Sequence, residues 1–273
     1  MAKIIDPRQI AEDRDFEHPY AIAWGVDRET TGTESFTLHR TIVPPMGKNR
    51  LHYHKNDAAA YLAKGTIHVF VGEGKEVKKY EAREGSFAYY PAGVIHGQEN
   101  PSPDKEAMII ATYGGVASRE ESGTIFVEGE GAGPWDGATG DPSKARMIYS
   151  VDLSEDKDYE PPLTIRWVDS ETTGTKTITM GRTVVPPGGR NQRHYHKNCD
   201  AAWFLLKGRL RLFIGEEAKV YVMEEGQFVY APRGEIHGLE NLSKEEPAEL
   251  IFAYGNVPNK KAAGTVYVEE VWK

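Results

Sequence analysis

The feature that most constrains this chain is that it is written twice. Ala11–Trp24 (AEDRDFEHPYAIAW) matches Ser154–Trp167 (SEDKDYEPPLTIRW), and Glu29–Pro45 (ETTGTESFTLHRTIVPP) matches Glu171–Pro187 (ETTGTKTITMGRTVVPP). His52-Tyr53-His54-Lys55-Asn56 recurs as His194-Tyr195-His196-Lys197-Asn198, and Pro91–Gly97 (PAGVIHG) recurs as Pro232–Gly238 (PRGEIHG). The offset stays between 141 and 143 residues, so few insertions separate the copies and both must take the same fold. Between them lies Gly129–Asp141 (GEGAGPWDGATGD), a glycine-rich connector that puts the boundary near residue 140. Two domains are expected, 1–140 and 141–273.

Within each copy the apolar pattern is short and β-like. Thr66–Val71, Arg209–Ile214 and Gln227–Tyr230 alternate or run apolar between Gly, Pro and Asn punctuation. Many short strands with regular turn signals predict an all-β chain of two closed double-sheet barrels, or jelly rolls, in tandem. A 39% hydrophobic fraction is too rich for a disordered chain, and no apolar run is long enough for a membrane span. The net charge of −8, with basic residues scattered among more numerous acids, argues against nucleic acid as a partner. A small polar or metal-bound ligand suits such a chain better. The lone cysteine, Cys199, excludes a disulfide framework and a cysteine-based zinc site. The opening residues lack the apolar stretch of a signal peptide, so a cytoplasmic location is expected. Exposed barrel edges leave room for a homo-oligomer.

Six of the nine histidines fall in register across the repeat. Alternation along a strand turns His52 and His54 to one face, as it does His194 and His196. A third imidazole following a Pro-x-Gly turn, His96 or His237, would complete a facial set of neutral nitrogen ligands for a first-row transition metal. His18, His39 and His68 are not repeated, and read as ordinary surface or packing residues.

These residues resemble those of bicupins, chains of two cupin β-barrels. The family's first motif, G(X)5HXH(X)3–4E(X)6G, is approached by Gly47–Gly65 (GKNRLHYHKNDAAAYLAKG) and Gly189–Gly208 (GRNQRHYHKNCDAAWFLLKG), each one residue short before the first histidine. The second, G(X)5PXG(X)2H(X)3N, is matched by Gly85–Asn100 and Gly226–Asn241. The resemblance implies a metal inside each barrel.

One departure is repeated. The family's acidic ligand falls at Ala58 and Ala201, which cannot bind a metal. Asp57 and Asp200 lie one position earlier, where alternation turns them to the other face as turn or surface carboxylates, a distorted ligand role being the other reading. A divalent ion held by three neutral imidazoles keeps its full double charge and favours an anionic bidentate ligand. This arrangement is similar to the three-histidine cupin dioxygenases that cleave aromatic hydroxy-acids or β-diketones. It implies an Fe(II)-dependent oxygenase, with Mn, Ni, Cu or Zn as other ions that imidazole accepts.

Ala58 and Ala60 leave space over the first metal, and Trp203 fills the equivalent place in the second, as plain barrel core or, if it faces the metal, as a stacking surface. Tyr89, Tyr90 and Tyr230 precede the third ligand, with Tyr89 and Tyr230 the candidate acids. Arg50 and Arg193, together with Arg190, flank the metal motifs and are candidates for a substrate carboxylate, most of them being solvated loop charges. An oxygen-independent isomerase, decarboxylase or lyase is the alternative, and it needs an acid or base beside the metal. A non-catalytic ligand-binding cupin is the third reading.

Overall fold

The computed structural model describes residues 1–73 and 76–268, and its regular structure is almost entirely β. Four antiparallel sheets form two barrels. The first barrel closes a six-stranded sheet, ordered Arg146–Tyr149, Ser86–Tyr90, Ala58–Lys64, Ala107–Tyr113, Leu38–Val43 and Ala21–Val26, over a five-stranded one that carries His52–Tyr53 and His96–Glu99. The second repeats this plan with Lys3–Ile5, Phe228–Ala231, Ala201–Lys207, Ala248–Gly255, Ile178–Val185 and Thr164–Val168, over a sheet that carries His194–His196 and His237–Asn241.

The sheets cross the sequence boundary near residue 140. Lys3–Ile5, from the start of the first copy, pairs with Phe228–Tyr230 of the second barrel. Arg146–Tyr149, from the start of the second copy, pairs with Ser86–Tyr89 of the first. The copies thus exchange edge strands reciprocally, which covers two edges that would otherwise expose unpaired backbone.

Alternation sorts each six-stranded sheet into two faces. Ala58, Ala60 and Leu62 face the interior of the first barrel, while Ala59 and Tyr61 join a separate core between the barrels. That core includes Phe36, Phe87 and Ile110 from one half and Ile178, Phe204, Phe228 and Ile251 from the other. The backbones approach closely here: a Cβ on Gly114 would stand 2.5 Å from Cγ1 of Ile178.

Asp57 and Asp200 belong to this junction rather than to the solvated surface. The Asp57 carboxylate accepts hydrogen bonds from Tyr89 Oη at 3.0 Å, Thr175 Oγ1 at 2.7 Å and the Ala92 amide at 3.0 Å. Asp200 accepts from Tyr230 Oη at 3.0 Å, Thr33 Oγ1 at 3.0 Å and the Arg233 amide at 2.8 Å. Each aspartate therefore fastens its own barrel to a threonine of the other.

Candidate metal centres

In each barrel the His-x-His strand pairs with the strand that opens on the third histidine, placing His52 opposite His96 and His194 opposite His237. The three imidazoles of each set are buried, with one ligand nitrogen from each within 4.8 Å of the others. Their outward nitrogens are anchored. Nδ1 of His52, His96, His194 and His237 donates to the carbonyls of Arg50, Val94, Gln192 and Glu235 at 2.8 to 2.9 Å. His54 Nδ1 meets Thr124 Oγ1 at 2.7 Å. Ser122 donates its own hydroxyl proton to the Arg119 carbonyl, so Thr124 donates to Ser122 and accepts from His54.

This anchoring fixes the tautomer of these five rings and leaves their Nε2 lone pairs directed into the barrel, as a metal ligand requires. His196 Nε2 is buried without a hydrogen-bond partner. Burial pushes the His194 pKa down to about 4 and that of His237 to about 3, and lowers His54, His96 and His196 as well. These five imidazoles are therefore neutral at pH 7, and the donor set fits a divalent transition metal.

Each triad opens on a small cavity, about 40 Å³ in either barrel. Ala58, Ala60 and Tyr90 line the first; Ala201 and Trp203 line the second. Among the described residues, neither lining includes a lysine or arginine. Arg50 instead lies over the Phe126 ring and donates to the Glu130 carbonyl, and Arg193 donates to the carbonyls of Gly215 and Glu216.

Tyr89 and Tyr230 do not face the cavities. Strand parity sends both hydroxyls to Asp57 and Asp200 at the junction, and Tyr90 is the tyrosine that turns inward, stacked on His96 at 4.0 Å between ring centroids. In the second barrel Ala231 takes the equivalent place, and the inward tyrosine is Tyr254, 4.5 Å from His196. Its counterpart Tyr113 stands 4.6 Å from His54.

The cavities keep similar volume by moving rings between neighbouring strands. Tyr90 with Ala60 in the first becomes Ala231 with Trp203 in the second, where Trp203 packs against His237 at 5.5 Å. His39 opposite Ala111 becomes Gly181 opposite Phe252, whose ring fills the place of a side chain at 181, a Cβ there lying 2.5 Å away. His39 is thus a cavity residue, buried and lining the first site. Ala60→Trp should overpack the first barrel against Tyr90 and cost about 1–3 kcal/mol. Ala60→Trp with Tyr90→Ala should recover most of that loss, as read by chemical denaturation of the three proteins.

The least expected members of both sites are Glu17 and Glu160. The segment before the first barrel strand carries each carboxylate inward, so that Glu17 Oε1 lies 3.9 Å from His52 Nε2 and Glu160 Oε1 lies 3.5 Å from His194 Nε2. The other oxygen of each accepts a hydrogen bond at 2.6 Å, from Asn49 or Asn191. Burial pushes the Glu160 carboxyl up. Neither glutamate belongs to a metal motif, but both recur in the repeat, as do the asparagines that hold them.

Two pseudo-symmetric barrels, each with a buried three-imidazole metal site, define the class as a tandem-barrel metalloprotein. The family of cupin domains matches residues 39–113 and 181–254, and the chain belongs to it as a bicupin. The fold is similar to that of oxalate decarboxylase from Bacillus subtilis, with a TM-score of 0.73 at 15% identity over 97% of this chain and 78% of that one. The Lactobacillus farciminis oxalate decarboxylase in complex with formate gives 0.74 at 13% identity, over 97% and 88%. Among curated proteins, a germin-like protein of Arabidopsis thaliana (subfamily 2 member 4) is 32% identical over 85 residues, and oxalate oxidase GF-3.8 of Triticum aestivum is 28% identical over 93. Those matches cover 30% and 32% of this chain and 39% and 42% of the relatives.

Proposed function

We propose that the protein is a metal-dependent lyase that breaks a carbon–carbon bond of a small carboxylate without consuming dioxygen, decarboxylation being the reaction. The observation that carries this reading is the buried carboxylate beside each imidazole triad. Full double charge on the ion was the reason to expect a three-histidine oxygenase, and Glu17 and Glu160 reduce the net charge of the centres. Relatives named as oxalate decarboxylases and an oxalate oxidase are in keeping with a small anionic substrate.

A divalent ion, Mn(II) or Fe(II), would supply Lewis acidity that binds and polarises the substrate carboxylate. With no lysine or arginine among the described residues of the cavity walls, this is also where the substrate's charge would be met. The protein orients the rest of the molecule. Trp203 Nε1 and His39 Nδ1 are buried, have no hydrogen-bond partner and belong to residues lining the cavities, so a substrate oxygen can satisfy the first and a polar group the second.

Decarboxylation leaves the bonding electrons on carbon, and that carbon must take up a proton. Burial raises the hydroxyl pKa of Tyr113 and Tyr254 well above 10, so both stay protonated at the cavity walls and can give that proton, to be replaced from water. Protein loaded with Mn(II) or Fe(II) should release CO2 from small mono- or dicarboxylates under strict anaerobiosis. Tyr113→Phe with Tyr254→Phe should lower kcat about a hundredfold with metal content unchanged. Turnover only with stoichiometric oxygen uptake would return the protein to the oxygenases.

A further inference from the structure

We infer that Glu17 and Glu160 replace the carboxylate ligand absent from the first cupin motif, so that each centre has three histidines and one glutamate brought from a different part of the chain. This rests on the reading that the triads hold a divalent metal.

The donor pattern argues for it. Nδ1 of His52 and of His194 gives its proton to a backbone carbonyl, so each Nε2 presents a lone pair. The carboxylate oxygen opposite is also an acceptor. Two acceptors facing each other at 3.9 or 3.5 Å inside a barrel repel unless a proton or a cation lies between them, and the separation is long for a shared proton. Two ligands each about 2.1 Å from one ion, at angles of 90 to 110°, stand roughly 3.0 to 3.4 Å apart. The His194–Glu160 pair is at that separation within a small adjustment and the His52–Glu17 pair is slightly more open, while the mutual 4.8 Å cluster of each site holds the three imidazoles alone, so each glutamate has to swing further in to close on the other two.

The carboxylates are aimed rather than incidental. Asn49 Oδ1 accepts from the Gln98 amide at 2.7 Å and Asn191 Oδ1 from the Leu239 amide at 2.8 Å, which fixes each side-chain NH2 toward its glutamate. One carboxylate oxygen is thereby held by the asparagine, a supporting contact of the sort that orients metal ligands; the other faces the triad, and in the first barrel it also accepts from the Tyr113 hydroxyl at 3.4 Å. The loop itself is pinned. Asp13 accepts from the Phe16 amide and Trp24 Nε1, Asp156 accepts from the Tyr159 amide and Trp167 Nε1, and the Glu17 and Glu160 carbonyls accept from the Tyr20 and Leu163 amides. Both copies keep this whole arrangement while both lack the motif glutamate.

The test is Mn(II) binding by calorimetry, with Mn(II) electron paramagnetic resonance, on the full chain and on Glu17→Gln/Glu160→Gln. Glutamine keeps the size of the side chain and an oxygen for the asparagine, and metal-free melting curves will show whether the variant folds. Affinity should fall at least a hundredfold in the variant, with altered zero-field splitting of any Mn(II) that still binds. Wild-type affinity and an unchanged spectrum in the variant would overturn the inference and leave the metal reading standing. No binding by the wild-type chain would overturn both. A crystal structure of the Mn(II)-loaded wild-type protein gives an answer independent of any variant: Glu160 Oε1 bonded to the ion supports the inference, and a water between them refutes it.

Discussion

Protein purified without chelators should carry two divalent ions per chain, and His54→Ala or His196→Ala should each remove one. Each substitution deletes one of three convergent neutral nitrogens from a buried site. Loss even of a group that only supports a ligand costs 10- to 100-fold in metal affinity, so loss of a ligand should exceed about a hundredfold and empty the site during purification. Elemental analysis of the wild type, the two single variants and the double variant checks this, with two, one, one and no ions expected. The centres lie in separate barrels, so the two losses should be independent. Retention of two ions by either single variant would mean that the triads are not the binding sites.

The metal-free protein should be acid-sensitive well above the pH at which carboxylates titrate. His39, His194 and His237 are buried, and burial lowers their pKa values from 6.5 to about 3, 4 and 3. Between those values and 6.5 the unfolded chain binds protons that the folded chain does not, so stability is fully present above 6.5 and falls as the pH drops. From pH 7.5 to 5 each of the three groups removes about 2 kcal/mol, together about 6 kcal/mol, a large share of the stability of an ordinary domain. Denaturant midpoints at the two pH values measure the loss. Bound metal should steepen the decline, because it is itself released as its ligands protonate. His39→Asn should flatten the metal-free slope without touching metal stoichiometry. A midpoint that does not move between pH 7.5 and 5 would contradict this.

Much of this was legible in the sequence because strand alternation and repetition are both local signals. His-x-His must place two rings on one face, and the copy 142 residues later repeats the same placement. The parity of Tyr89 and Tyr90 was not legible, because the strand breaks at Pro91 before reaching His96, so the histidine gives no phase for the residues ahead of it. His39 was set aside for lacking a counterpart. A cavity, however, preserves volume rather than residue identity, and Phe252 on the neighbouring strand fills the corresponding space. The glutamates escaped for a third reason: Glu17 stands 35 residues before His52, and only the closure of the barrel brings them together. Their signal was present, in a glutamate and an asparagine kept in both copies outside any known metal spacing.

The exchanged edge strands carry a consequence for how such a chain could arise. Lys3–Ile5 is rooted in the second barrel, and the segment that follows it delivers Glu17 to the first; Arg146–Tyr149 is rooted in the first barrel, and its continuation delivers Glu160 to the second. One copy translated alone would hold a strand with no sheet to enter and a sheet with a bare edge, and a second copy of itself would satisfy both. The tandem chain has the form of such a strand-swapped homodimer sewn into one polypeptide. Cutting the connector at 129–141 should accordingly leave the halves embraced, with the segment that carries each centre's glutamate still anchored in its sibling.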